Sequence, residues 1–326
     1  MQRFKNILYV AAPDTNSLEA VERAVTLALS NQACLTVVEV IEVIPPKIKL
    51  PNQSLSHSDL QAKIVAEHRN KLKELVASWN QSLEIRIEVL VGNPFLEVIR
   101  KVLRSDCDLI IKSAESGGLF NRVFGSDDQH LLRKCPCPVW LLNSTSPKTY
   151  QRVLAAVDLD DFYMPKELNT RHLLNLQILE MASSLALSES AELHIAYAFT
   201  AMGESMMQGG FMQSSDQEVA DYVEEIRQRS ENNLAGLMDE VTTKLGKDAM
   251  EYLKPKKHLP KGLPRKEIPA LVDKIDADLV IMGTVARTGI PGFIMGNTAE
   301  NILNQISCSV LAIKPSGFET PVTLAD

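Results

Sequence analysis

The 326-residue chain contains no run approaching the roughly 18 apolar residues that a membrane-spanning helix needs, so a helical membrane protein is not expected. It has no surplus of positive charge: the formal net charge is -7, which argues against a nucleic-acid-binding surface. Cysteine is scarce, with five residues, an odd number, mostly in apolar surroundings. That pattern suits a reducing compartment and not a disulfide framework. The N-terminus, MQRFKNILYV, lacks a signal-peptide cleavage pattern, so the expected location is the cytoplasm. No G-K-S/T follows a glycine loop, and no G-x-G-x-x-G occurs, which excludes the P-loop and the dinucleotide fingerprint. There is no serine nucleophile elbow, no metal triad and no credible pair of carboxylates, so no catalytic residue and no metal ligand is assigned. Any turnover would be slow. Cys135-Pro136-Cys137 has no C-x-x-C partner, and His57, His68, His130, His172, His194 and His258 are scattered. A site of two cysteines and His130 would still lack a ligand, so these thiols read as structural.

What the chain does contain is a repeat. Its length fits two domains of about 150 residues, and 45% apolar with 23% charged residues is the composition of an ordinary globular protein. The stretches 6–12 and 152–158 read as buried first strands, followed by helices over 17–29 and 168–187. The strands 34–41 and 192–199 come next, then a variable connection and a long amphipathic helix, 59–79 in the first half and 217–245 in the second. Val91-Gly92-Asn93-Pro94 then aligns with Lys261-Gly262-Leu263-Pro264, and Asp106-Cys107-Asp108 with Asp276-Ala277-Asp278, at an offset of 170 residues. By Cys137 and Cys308 the offset is 171, so the first half has lost one residue from its loop. A repeat of this length is a duplicated domain and not a solenoid period. The seam falls in the polar stretch 143–150, giving domains 1–146 and 147–326. Each half reads β-α-β-α-β-α-β-α-β, which predicts two tandem doubly wound parallel sheets with helices on both faces. In such sheets ligands bind beyond the carboxyl ends of the strands, where strand order reverses. Asp158 and Gly283, ending the first and fourth strands of the second half, should lie side by side there.

The stretch 278–314 holds the densest signal: two apolar runs, 279–282 and 310–313, without alternation, as in strands covered on both faces. Between them stand Gly283, Gly289, Gly292 and Gly296, then Asn297-Thr298 at the head of a helix. Such glycines either let backbone amides approach a phosphate or satisfy a loop that needs positive φ.

The loop, the strand–helix order and the duplication resemble the universal stress protein family, and its tandem E-type members in particular. The resemblance spans essentially the whole chain. ATP-binding members carry G-x2-G-x9-G-S/T after the fourth strand. Here Gly283 matches the first glycine, Ala286 replaces the second, and Gly296 matches the third, followed by Asn297-Thr298. The resemblance implies that Gly283, Thr284, Ala286 and Gly296 approach phosphates, that Asn297 and Thr298 donate hydrogen bonds, and that Asp158 contacts the nucleotide. Ala198 would line the base pocket. A Cβ at Ala286 costs about 1 kcal/mol if the position needs positive φ; Arg287 beside it could offset this by pairing with a phosphate. ATP, with Mg²⁺ alongside it, is the cofactor so implied. The first half departs further, with Ser113, Ser116 and Ala12 at the matching positions and only Gly125-Ser126 retained. Glu115, Asp127 and Asp128 add negative charge where phosphates would sit, so this half is expected not to bind ATP. It would pack against the second half, leaving a monomer or a homodimer of tandems.

Two stretches offer other readings. The connection 200–215, with Met202, Met206, Met207 and Met212 among glycines, could cover a pocket for an apolar or acyl ligand. The basic run 254–266 (Lys256, Lys257, Lys261, Arg265, Lys266) is either a solvated edge or an aid to a phosphate-bearing ligand. The functional expectation is a stress-response module binding a small phosphate-bearing molecule, with an apolar-ligand binder or a ligand-free structural adaptor as alternatives.

Overall fold

A computed structural model describes residues 4–11, 18–45, 56–77, 79, 83–114, 124–144, 146–209, 214–284 and 295–324. The chain divides into two units: Gln2–Lys148 together with Glu319–Asp326, and Met1 with Thr149–Phe318. The segment after Phe318 therefore belongs with the first unit, where Arg100 Nε donates to the Thr323 carbonyl at 3.3 Å.

The first unit runs β1 (Asn6–Val10), α1 (Leu18–Asn31), β2 (Cys34–Ile41), α2 (His57–Ala77), β3 (Ile85–Val91), α3 (Pro94–Ser105), β4 (Leu109–Ser113), α4 (Ser126–Lys134) and β5 (Val139–Leu142). Its strands are parallel in the order β3-β2-β1-β4-β5. The second unit runs β6 (Arg152–Ala156), α5 (Pro165–Glu189), β7 (Glu192–Ala196), α6 (Glu204–Gln208), α7 (Asp216–Leu245), α8 (Lys247–Leu253), β8 (Lys256–His258), α9 (Pro264–Ile275), β9 (Leu279–Gly283), α10 (Asn297–Leu303) and β10 (Ser309–Ile313). Its strands are parallel in the order β10-β9-β6-β7-β8. Both are the doubly wound sheet that the alternation of strand and helix predicts, and in each the order reverses between the first and fourth strands.

The repeat is written in side-chain chemistry as well as in pattern. Asp108 accepts from the backbone amides of Lys5 at 2.6 Å and Asn6 at 3.1 Å, pinning the start of β1 beside β4. Asp278 does the same for Gln151 at 2.6 Å and Arg152 at 2.8 Å before β6. Gly92 and Gly262 share a φ of 150°, and a Cβ there would come within 2.8 Å of Glu97 and 2.4 Å of Glu267. Both positions require glycine. Pro94 and Pro264 then open α3 and α9, where a missing N–H costs nothing, and Asp106 and Asp276 close them in the left-handed region.

α9 also contains Pro269 in its interior. Proline has no N–H, so the Arg265 carbonyl one turn back loses its helical partner. Gln305 Nε2 donates to that carbonyl at 3.0 Å.

Several expected elements differ. The strand predicted over 192–199 stops at Ala196, with Phe199 continuing only as an isolated bridge to Lys261. The strand predicted over 152–158 stops at Ala156, leaving Asp158 beyond the sheet. The methionine-rich connection contains the short helix α6.

Candidate functional site

In the second unit Ala156 of β6 pairs with Met282 of β9, so the chain leaves two neighbouring strands at Asp158 and at Gly283-Thr284. Between these ends opens a cavity of about 350 Å³. Seven of the nine residues expected from sequence line it: Asp158, Ala198, Gly283, Thr284, Gly296, Asn297 and Thr298. The other two, Ala286 and Arg287, lie outside the described residues, as do Gly289 and Gly292.

Asp158 is held from α5. Asn175, 3% exposed, accepts the Asp158 N–H at 3.1 Å and donates to the Asp158 carbonyl at 2.6 Å. Arg171, one turn earlier on the helix, forms an ion pair with the Asp158 carboxylate and stacks 3.5 Å from the centre of the Tyr163 ring. The Asp160 N–H donates to Asp158 Oδ1 at 3.3 Å, and the Tyr197 hydroxyl donates to Asp160 Oδ1 at 3.1 Å. Burial against the cavity wall raises the Asp158 pKa, the Arg171 charge opposes this, and Asp160 adds to it. The side chain is still 44% exposed at the rim, so solvent screens the pair. Burial, and then the Asp160 charge, push the Tyr197 hydroxyl upwards, keeping it a donor.

The glycine loop is bracketed by Thr284, which is fully buried. Its carbonyl accepts the Gly296 N–H at 3.1 Å, and Lys314 Nζ contacts its hydroxyl at 2.5 Å. The Gly296 amide therefore donates to a backbone carbonyl of this chain. The φ of Gly296 is -60°, so positive φ is not the reason for glycine. Gly283 leaves room for Leu174 of α5: a Cβ there would come within 2.7 Å of Leu174 Cδ2, and that side chain would have to shift. Asn297 and Thr298 are exposed at the mouth.

The other walls are aliphatic, among them Leu174, Ile178, Ile268 and Ile302. None of Met202, Met206 and Met207 lines the cavity; Met202 and Met206 are exposed, and Met212 lies outside the described residues. Nor does any cation of the basic run line it. Lys256 pairs with Glu192 at 2.8 Å and Lys261 with Glu204 at 2.6 Å, while Leu263 and Pro264 of the same stretch do line the cavity.

Sequence reasoning missed Arg171, Asn175, Tyr163, Asp160 and Tyr197. Asn175 left a trace: an amide inside the apolar run LLNLQIL of α5 needs a buried partner. Arg171 and Tyr197 left none.

The first unit handles the equivalent place differently. Lys112 and Asp128, at the positions of Met282 and Ala299, form a buried ion pair at 2.7 Å with Asp128 wholly inaccessible. Asp128 also accepts the Gly125 N–H at 3.2 Å, capping α4. The expectation that Asp128 repels phosphates is therefore corrected: its charge is neutralised internally by Lys112. Tyr9 is buried with its ring edge-on to Trp79, and burial pushes its hydroxyl up to about 12. Glu115 and Ser116 lie outside the described residues. Cys135 and Cys137 are buried free thiols 3.5 Å apart.

A family model described as "Universal stress protein family" matches residues 3–143 and 170–314. Universal stress protein E of Escherichia coli (strain K12) is 28% identical over 346 aligned positions, covering 100% of this chain and 99% of that protein. Universal stress protein E of Photorhabdus laumondii is 26% identical, with the same coverage. Among solved structures, a functionally unknown protein from Pseudomonas aeruginosa PAO1 superposes with a TM-score of 0.63 at 24% identity, covering 96% of this chain and 93% of that one. A universal stress protein from Archaeoglobus fulgidus does so with a TM-score of 0.57 at 19% identity, covering 95% and 98%. At those identities the two structures speak to the fold alone.

Proposed function

The chain belongs to the universal stress protein family and carries its domain twice, and from that premise we propose that the second unit is a cytoplasmic, stress-responsive binding module for an adenine nucleotide or a related phosphate-bearing metabolite. The observation that carries this reading is the convergence of Asp158, Ala198, Gly283, Thr284, Gly296, Asn297 and Thr298 on one cavity at the reversal of strand order. A volume of about 350 Å³ is within the ordinary range for small-molecule pockets, which runs from roughly 300 to 1,000 Å³. The lining has the two characters a nucleotide needs. Leu174, Ile178 and Ile302 offer an apolar wall for a base, and Asp158 with the exposed Asn297 and Thr298 offers hydrogen-bonding groups at the rim. Mg²⁺ would enter with a triphosphate. Among the described residues no group of three His, Cys, Asp or Glu could hold a metal ion, so phosphate oxygens would supply most of its ligands.

The first unit takes no part in this binding, since the Lys112–Asp128 pair occupies its equivalent place. The reading under which an apolar ligand lies beneath the methionine-rich connection finds no support in the described methionines, which line no part of the cavity. The groups around Asp158 form hydrogen bonds among themselves.

Calorimetric unfolding of the full chain with ATP, with and without Mg²⁺, tests the reading. A ligand at a hundred times its Kd adds about 2.7 kcal/mol, a shift of roughly 5–10 °C for a unit of this size. Gly296→Trp, which would fill the mouth, should abolish the shift while keeping the unfolding enthalpy of its own transition. No shift in the wild type at millimolar ATP would refute nucleotide binding.

A further inference from the structure

The edge of the second unit's sheet is fastened by two histidines. β8 is only three residues long, and His194 on β7 meets His258 on β8 with Nδ1 and Nε2 2.9 Å apart. The rings are parallel within 5°, their centres 5.1 Å apart, and His194 is 4% exposed. A hydrogen bond between two imidazoles needs one nitrogen to donate and the other to accept. With both rings protonated, two N–H groups face each other and the bond is lost.

The surroundings do not welcome a second proton. Lys256 of β8, Arg152 of β6 and Lys274 of α9 bear on the pair, against one carboxylate, Glu192 of β7. Glu192 reaches His194 Nε2 at 3.3 Å, yet it also binds Lys256 at 2.8 Å and is half exposed. Burial is the largest cause lowering the pKa of both histidines.

What the pair fastens is part of the cavity. The Tyr197 N–H donates to the His258 carbonyl at 3.0 Å, the Phe199 N–H to the Pro260 carbonyl at 3.1 Å, and the Gly262 N–H to the Phe199 carbonyl at 2.9 Å. These same two segments supply Tyr197, Ala198, Leu263 and Pro264 to the cavity wall. We propose that the His194–His258 contact is an acid-sensitive latch, which holds β8 against β7 while one imidazole accepts from the other and releases the strand, and with it that wall, when both are protonated. The latch stands on its own geometry; only its consequence for ligand affinity rests on the binding function proposed above.

The sign follows from linkage. Because the folded pKa values lie below the unfolded value of about 6.5, the open form binds more protons in acid. Closure is therefore fully stabilised above about pH 6.5 and weakens as the pH falls through the lowered values.

Hydrogen exchange on the full chain without ligand, at pH 7.5 and 5.0 and corrected for intrinsic rates, tests this. Protection over 192–199 and 256–262 should fall severalfold at pH 5.0, relative to β9 and β10, and the double variant His194→Gln with His258→Gln, in which neither position titrates, should abolish the difference. An equal loss across the unit, or the same loss in the variant, overturns the latch. Opening confined to 192–196 and 256–258, with 197–200 and 261–264 still protected, overturns its link to the cavity. Should the variant not fold, carbon-13 NMR of labelled histidine in the wild type decides. A coupled pair titrating below 6.5 supports the latch, and two independent rings at the ordinary value overturn it.

Discussion

Replacing Asp128 with alanine, the residue at the matching position of the second unit, should severely destabilise the first unit, and replacing Lys112 with methionine at the same time should restore most of the loss. The pair is 2.7 Å apart with side-chain exposures of 7% and 0%. Asp128→Ala alone leaves a buried ammonium without its carboxylate, which costs on the order of 3–5 kcal/mol. It also removes the acceptor for the Gly125 amide, a cap worth about 1 kcal/mol. Lys112→Met with Asp128→Ala reproduces Met282 and Ala299, and exchanging a buried ion pair for apolar groups is typically neutral or stabilising by about 1–4 kcal/mol. The lost cap should leave the double variant within about 1–2 kcal/mol of wild type. Urea unfolding followed by tryptophan fluorescence reports this unit selectively, because both tryptophans, Trp79 and Trp140, lie within Gln2–Lys148. A coupling near zero, with the double variant losing the sum of the single losses, would refute the reasoning. So would Asp128→Ala costing under about 1 kcal/mol, since that is the range of a screened surface pair.

Asn175→Ala removes both hydrogen bonds to the Asp158 backbone and leaves the Asp158 N–H and carbonyl to find other partners. The second unit should lose about 1–3 kcal/mol in calorimetry, and any ATP-dependent shift should shrink with it; unchanged stability would mean the Asp158 turn is held by other contacts. Alkylation with iodoacetamide at pH 8 should modify Cys34 alone in the native chain, because the other four thiols are buried, with Cys107 pushed up to about 11 and Cys308 to about 12 by burial. Mass spectrometry showing more than one fast-reacting site would contradict that packing.

The parts of this protein legible in its sequence are those whose cause is local or repeated. The apolar runs at 7–10 and 279–282, without alternation, read as strands covered on both faces. Asp106/Asp276 and Gly92/Gly262 recur because each half needs the same cap and the same tight turn. The alternation of strand and helix then fixes a doubly wound sheet, whose reversal brings Asp158 and Gly283 together whatever the remaining residues are.

What only the tertiary structure decided are contacts that depend on strand register and helix placement, where no short-range pattern carries the information. The amide of Gly296 is consumed by Thr284, and the missing Cβ of Gly283 makes room for Leu174. Asp128, which reads along the chain as a repelling surface charge, lies inside against Lys112, sixteen residues away. His194 and His258, 64 residues apart, meet only because β8 is added to the edge of β7 in one register. Charge and polarity are visible in a sequence, but whether a charge is paired or a glycine crowded depends on what the fold brings within a few ångströms.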